Sequence, residues 1–321
     1  MLKIITQLFR VFTGALFIFS GFVKLVDPLG STYKFEEYFG ADVLNLEFLI
    51  PYALPFAILL ILIELLLGVA LLLGYKIKAT LWSLFGITIF FLFLTWYSAF
   101  YDKVTDCGCF GDAITLSPWE TFYKNVIFIG LILWMLIQQK HIKPILSKTI
   151  NKWILFVAWF ASFYIIYQAL SSLPLIDFRA YAVGKNIKEG MKYKDDGEIP
   201  PVHDFYLESE TDDLTESILN APKVALIVMN KLDQTDKEAW ETLKEFSEKA
   251  TAKGYLVYAL SSSGSDLVAK TKKDKTPPFD ILFCDGTTLK TMMRANPGIL
   301  ILENANVVSK FHWKNSDKFQ F

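Results

Sequence analysis

Three cysteines in 321 residues are too few to staple a fold, so packing must hold this chain together. Histidine is equally scarce: His141, His203 and His312 stand far apart, which leaves a four-ligand metal site little to draw on. No long basic run occurs, and the formal net charge is −1, so nothing points to a nucleic-acid partner. Charge itself is nearly missing from long stretches before position 175, while the segment after it is crowded with Lys, Asp and Glu.

What fills the uncharged stretches is apolar. The chain is 53% hydrophobic and 16% aromatic, more than is usual for soluble domains. Crossing a bilayer takes about 20 apolar residues, because the hydrocarbon layer is about 30 Å thick and each helical residue rises about 1.5 Å. Five segments meet that length: Leu8 to Val26, Tyr52 to Leu73, Thr80 to Phe100, Phe122 to Ile137 and Trp153 to Leu173. The fourth is short and would lean on its flanks. A globular alternative would have to bury five all-round apolar segments in one core, which a chain of this length cannot supply. The lipid bilayer is therefore the first partner.

Basic residues orient the spans. Lys3 and Arg10 open the chain, Lys76 and Lys78 follow span two, and Lys140, Lys143, Lys148 and Lys152 follow span four. The loop after span one carries Asp27, Glu36, Glu37, Asp42 and Glu47 against Lys34, and the loop after span three carries Asp102, Asp106, Asp112 and Glu120 against Lys103. This alternation predicts a cytoplasmic N-terminus and, after five spans, an exported C-terminal domain. Phe17 to Val26 has no small-x-small cleavage site before Asp27, so span one reads as an uncleaved helix.

Beyond Leu173 the chain turns polar. Residues 175–201, with Gly184, Gly190, Gly197 and Pro200-Pro201, read as a linker. Strand patterns then appear at Lys223 to Met229, Tyr255 to Leu260 and Phe279 to Phe283, a helix at Thr235 to Lys253, and a closing hairpin with its turn at Glu303-Asn304-Ala305-Asn306. Alternation of this kind predicts a small α/β sheet with helices packed on it. Asp204-Phe205-Tyr206-Leu207, Asp213-Leu214-Thr215 and the Val224 strand resemble the opening of thioredoxin-like domains of the peroxiredoxin and TlpA kind. Arg294-Ala295-Asn296-Pro297-Gly298 stands where that fold places its cis-proline. The active Cys-x-x-Cys of such domains is absent: Asn230-Lys231-Leu232-Asp233-Gln234-Thr235 occupies its place. The domain at residues 202–321 is thus expected to bind an exported or envelope protein without thiol exchange of its own, and Cys284 reads as a small buried hydrophobe.

Asp106-Cys107-Gly108-Cys109-Phe110-Gly111-Asp112 is the sharpest chemical signal. On the exported side disulfides persist, and a Cys-x-Cys bridge requires a turn, which Gly108 and Gly111 permit. So small a ring is strained, and strain makes the bond an oxidant. A redox-active pair, a loop-shaping pair and a metal site all remain readings of these residues. In the spans, Glu64 lies about 20 Å along its helix from Pro51. Its carboxylate should face the bundle interior, as a proton relay or quinone-site group or as a structural hydrogen-bond partner. Lys24 is expected to snorkel outward, and Glu120 with Lys124 to form a surface i,i+4 pair.

The membrane half also resembles the DoxX and MauE group of four-helix membrane proteins. Ser20-Gly21-Phe22-Val23-Lys24-Leu25, the Glu64 to Gly74 stretch, and Cys107 to Gly111 ahead of Glu120 to Asn125 carry the likeness. It implies redox chemistry: quinone-linked oxidation in one branch, disulfide formation in the other. The expected fold is multi-domain. Residues 1–150 form a DoxX/MauE-like transmembrane bundle, 151–174 a fifth transmembrane helix, 175–201 a linker and 202–321 an extracytoplasmic thioredoxin-like domain. The expected protein is a bacterial inner-membrane thiol–disulfide oxidoreductase with a periplasmic C-terminal domain. Its Cys107 and Cys109 are catalytic, a membrane quinone is the cofactor, Glu64 is a cofactor-binding group and there is no metal. The alternative is a non-enzymatic membrane component of an envelope protein assembly, gripping a partner through residues 202–321.

Overall fold

Five helices are long and apolar enough to cross a membrane: Leu2–Val26, Glu47–Leu73, Ile77–Tyr101, Pro118–Ile137 and Lys148–Ser171. They belong to a computed structural model that describes residues 1–104, 108–193 and 199–319. The chain divides into two units, Met1–Ser171 and Ser172–Phe321. The fifth span therefore belongs with the first four, although residues 151–174 read as a separate element in the sequence.

In the first unit, α1 (Leu2–Val26) is followed at once by a helix that the hydropathy pattern hides, α2 (Pro28–Phe39). Its start is legible afterwards: Pro28 sits at N1 and the Asp27 side chain accepts from the Gly30 N–H, a cap and a proline in their preferred places. A 3-10 turn at Glu47–Tyr52 leads into α3 (Ala53–Leu73), and α4 (Ile77–Tyr101), α5 (Pro118–Ile137) and α6 (Lys148–Ser171) complete the bundle. The fourth span, expected to be short, reaches 20 residues. It begins at a Ser117–Glu120 capping box, which extends the helix through a polar first turn. Leu8, Phe90, Phe93, Phe156 and Phe160 are exposed, as lipid-facing side chains must be.

Small residues set the α1–α3 distance. A Cβ added at Gly21 would lie 2.9 Å from the Leu65 backbone nitrogen, and one at Gly68 would lie 3.0 Å from the Gly14 carbonyl. Neither helix could approach so closely with larger residues there. One bundle end gathers the basic connections. Gln7 donates to the His141 carbonyl at 2.8 Å, and the Ile145 N–H donates to the Leu73 carbonyl at 3.1 Å. Arg10 Nε and Nη2 donate to the Leu71 and Leu72 carbonyls at 2.9 and 2.6 Å. Its buried cation adds to the Gly74 N–H on the Leu71 carbonyl and reaches the Leu72 carbonyl in the last turn of α3, where the helix dipole favours a positive charge.

The second unit is a five-stranded mixed sheet in the order β3-β2-β1-β4-β5. Its strands are β1 (Lys223–Val228), β2 (Leu256–Ser261), β3 (Asp280–Phe283), β4 (Gly298–Glu303) and β5 (Asn306–His312). β1, β2 and β3 run parallel, β4 is antiparallel to β1, and β5 is antiparallel to β4. Helices α7 (Ile187–Gly190), α8 (Thr215–Asn220), α9 (Ala239–Ala252), α10 (Ser265–Lys275) and α11 (Gly286–Met292) accompany them. β1 is buried on both faces: Val224, Leu226 and Val228 join one core, and Ala225 and Ile227 join the other with Trp240, Leu243 and Phe246. Such two-sided burial is why the strand reads as a continuous apolar run. The hairpin turn places Asn304 and Ala305 at φ 50° and 62°, the handedness that a two-residue hairpin loop requires. The Asn296–Pro297 peptide is cis.

The reading of residues 175–201 as a linker needs correction over 177–191, while residues 194–198, with Gly197, lie outside the described residues. Tyr181 and Ile187 are 2% and 0% exposed within the core, and the Gly184 and Ile187 N–H groups donate to the Val307 and Ala305 carbonyls at 2.8 and 2.9 Å. Asp177 accepts from Arg179 Nε at 2.6 Å and from Lys310 Nζ at 2.7 Å. Glycines and lysines hid a segment that closes over the terminal hairpin. A fragment starting at Ser172 is expected to fold, and one starting at Pro201 to be weaker by at least about 3 kcal/mol through loss of Tyr181 and Ile187. Urea unfolding of the two fragments checks this; equal midpoints would restore the linker reading.

Candidate active site at the cysteine loop

Cys107 lies outside the described residues, so the geometry is built around Cys109. Gly108 and Gly111 have φ of 63° and 51°, and the Gly111 N–H donates to the Gly108 carbonyl at 3.0 Å. The loop is pressed onto the bundle: added Cβ atoms would lie 3.0 Å from Lys34 Cγ at Gly108 and 3.0 Å from Val23 Cγ1 at Gly111. Left-handed backbone and close approach together explain both glycines. Cys109 is buried. The Phe110 ring packs against Phe19 at 5.7 Å, and Lys124 Nζ stands 4.4 Å from its centroid, within cation–π range.

Beneath the loop lies a charged pair in the apolar interior. Lys24 Nζ is 2.6 Å from Glu64 Oε2, with both side chains buried. Lys24 therefore does not snorkel. Four residues separate it from Ser20, so both sit on the α1 face that the glycines bring against α3. Lys24 Nζ also donates to Ser20 Oγ at 3.1 Å and lies 5.3 Å from the Phe91 ring centroid. Ser20 Oγ is 2.7 Å from the Cys109 carbonyl and 3.1 Å from Glu64 Oε1. One hydroxyl proton serves two acceptors there, and the shorter contact is to the cysteine loop. Sequence reasoning found Glu64 but missed Ser20 as its link to the loop. The Ser20/Lys24 spacing opposite an intramembrane acid was the available signal.

Two cavities border Cys109. One touches Lys24, Lys34, Tyr38, Phe91 and Thr95. The other touches Ser20, Glu64, Phe91, Lys124 and Asn125 among phenylalanines 17, 110 and 128. The expected Glu120–Lys124 surface pair is not how these side chains are used. Glu120 bonds Ser117 Oγ at 2.8 Å in the helix cap, and Lys124 turns to Phe110 and the second cavity.

In the second unit, the loop after β1 is held by hydroxyl and amide groups. Ser262 Oγ donates to the Asn230 carbonyl at 2.8 Å, the Leu232 N–H donates to Ser263 Oγ at 3.1 Å, and Asn296 Nδ2 donates to the Lys231 carbonyl at 3.0 Å. Cys284 is fully buried in the sheet core. Burial, reinforced by the charge of Asp285, pushes its thiol up to about 12, so at neutral pH it is a protonated hydrophobe.

The helices and the cysteine loop define a multi-pass membrane protein whose loop rests on an intramembrane ion pair. Within it, residues 2–138 match the family described as Methylamine utilisation protein MauE. The first unit is thus MauE-like. No curated protein and no solved structure matches the chain.

The raised thiol of Cys284 has a direct consequence, because thiolate is the reacting form and little of it exists well below the pKa. In the Ser172–Phe321 fragment, where Cys284 is the single cysteine, iodoacetamide at pH 8 should modify the folded protein at least about 100-fold more slowly than the urea-unfolded one. Equal rates would show a reactive thiol.

Proposed function

We propose that this protein is a bacterial inner-membrane thiol–disulfide oxidoreductase in which Cys107 and Cys109 exchange with thiols of exported proteins. What supports the reading is the seat of Cys109: a glycine-shaped loop held over a buried Lys24–Glu64 pair and bordered by two aromatic-lined cavities. A loop that only needed shaping would gain nothing from buried charges, which are costly to desolvate. In the forward reaction a client thiolate attacks one sulfur of the Cys107–Cys109 disulfide, and that S–S bond breaks as a mixed disulfide forms. The client's second thiolate then displaces the chain's cysteine. The client leaves as a disulfide, and its two electrons remain on Cys107 and Cys109 as thiols.

The residues of the second cavity fit a quinone head group as reoxidant. Phe17, Phe91, Phe110 and Phe128 offer ring faces and edges, and Lys124 and Asn125 offer N–H donors suited to carbonyl oxygens. A quinone held there would supply the oxidising power, accepting the two electrons and two protons that Cys107 and Cys109 release on re-forming their disulfide. Glu64, in the same lining, is the carboxylate closest to hand for holding a proton.

The second unit reads as thioredoxin-like on its strand order, with three parallel strands and an antiparallel terminal hairpin. Its role is to present or select the client, since hydroxyls replace thiols at its loop and Cys284 is quiet. That same feature favours the second reading, a non-enzymatic envelope component. The trapping experiment separates them. In cells, Cys109→Ser or Cys107→Ser should accumulate a client-linked mixed disulfide sensitive to reductant, and quinone depletion should leave the wild-type pair reduced. A pair that stays oxidised on depletion, with no adduct in either variant, would give the anchor reading.

Orientation follows from charge. Lys76, Lys78, Lys140 and Lys143 occupy connections at the bundle end that holds the N-terminus, which the positive-inside rule assigns to the cytoplasm. Reporter fusions after Ser147 and within the second unit should therefore report opposite compartments. The same compartment for both would refute an exported second unit.

A further inference from the structure

Among the described residues, the ion pair reaches the cysteine loop through the Ser20 hydroxyl, and its two charges face different cavities: Lys24 lines one and Glu64 the other, with Phe91 and Cys109 bordering both. Lys24 donates to Ser20 Oγ, Ser20 reaches the Cys109 carbonyl at 2.7 Å, and Glu64 stands 3.1 Å from the same hydroxyl. Both charges are thus within two hydrogen bonds of the Cys109 backbone, in a bundle interior where Coulomb interactions are weakly screened. We propose that Lys24, Glu64 and Ser20 are positioning residues for Cys109: Ser20 tethers the loop, and the balanced charges set how readily Cys109 forms thiolate. This rests on the thiol–disulfide reading of the loop.

Opposed signs distinguish tuning from structural support. Removing the carboxylate leaves a net cation beside the Cys109 loop, which favours thiolate. Removing the ammonium leaves an anion, which disfavours it. Each remaining charge keeps a neutral partner. Lys24 retains Ser20 Oγ and the Phe91 face, and Glu64 retains the Ser20 hydroxyl. The other titratable groups facing Cys109 are Lys34 and Tyr38 from α2 and Lys124 from α5. From α4 only Phe91, Leu94, Thr88 and Thr95 face it. Asp106 and Cys107 lie outside the described residues, and Asp112 follows in the same loop. Apart from Cys107, which is serine in every variant compared, all of these stay constant through the test.

The experiment uses the full chain in nanodiscs, with Cys107→Ser and Cys284→Ser so that Cys109 is the single thiol. Iodoacetamide reaction rates are followed against pH. Relative to this parent, Glu64→Gln should move the midpoint down by about one unit and Lys24→Met up by about one unit, each a tenfold change in thiolate at fixed pH. Lys24→Arg should keep the parent midpoint. Ser20→Ala should raise the rate at every pH by loosening the loop, with the midpoint unmoved. Should a single variant fail to fold, the Lys24→Met/Glu64→Gln double variant leaves no unpaired charge, and its midpoint should stay within about 0.3 units of the parent. Shifts of the same sign in both single variants, no shift in either, or a full-unit shift in the double variant would each overturn the proposal. Alkylation needs no turnover, so opposed shifts in a protein whose pair never cycles in cells would sink the oxidoreductase reading and leave the tuning intact.

Discussion

The arrangement of the membrane unit depends on one ion pair in a place that disfavours ions. Lys24 and Glu64 meet at 2.6 Å inside five apolar helices, where an isolated charge is expensive and a pair is tolerated only with further hydrogen bonds. Ser20 provides them for both charges, and the Phe91 ring adds a cation–π contact to Lys24. The glycine contacts between α1 and α3 make the meeting geometrically available, since a Cβ at Gly21 would collide with the Leu65 backbone. Two hydrocarbon side chains would fill the same volume without desolvating anything. They could not hold Ser20 in place, and the link to the Cys109 carbonyl would go with it. The polar cluster is therefore better understood through the loop it supports than through the stability of the bundle.

The second unit handles polarity differently. Its sheet core is apolar along β1, and three of its charges, Asp177, Arg179 and Lys310, are drawn together at the edge where the segment after α6 meets β5. Burial works against the Asp177 carboxylate, but Arg179 and then Lys310 hold its carboxyl below the usual range. Lys310 is pushed down to about 8, first by burial and then by the charge of Arg179. In the unfolded chain an ordinary lysine binds its proton up to about pH 10.4. Lys310 thus opposes folding below its folded pKa, and this opposition fades as pH rises from 8 towards 10. The cluster fastens residues 177–187 to the hairpin by geometry more than by energy.

Legibility followed the physical signals. The five spans were readable because lipid demands apolar side chains on every face, and composition alone reports that. β1 and the hairpin were readable from their periodicity and the Asn304-Ala305 turn. Helix α2 was not, because Pro28 to Phe39 mixes glycine, lysine and glutamates and carries no strong apolar stripe. The segment 175–193 was misread because its fold depends on partners more than a hundred residues away, Ala305, Val307 and Lys310, which no local pattern encodes. At the site, Cys109 and Glu64 were singled out, but their connection was not. Ser20 is one of many serines, and only the α1–α3 crossing reveals what it touches.

The two described cysteines show what environment does to one functional group. Cys284 is packed in the core that includes Tyr181, Leu289 and Met292, and burial, with the charge of Asp285, raises its thiol far from reactivity. Cys109 is nearly as buried but sits between cavities lined by Lys24, Lys34 and Lys124 as well as by Glu64, three cations against one anion, with glycines at 108 and 111 that let the backbone settle against the bundle. Cationic surroundings favour thiolate, and apolar ones favour thiol. Under the proposed reading, burial at Cys109 limits access to small or well-placed reactants while the lysines preserve reactivity, a combination that exposure alone would not give. The second unit, whose one thiol is protected by its core, is then free to hold a client without competing for its electrons.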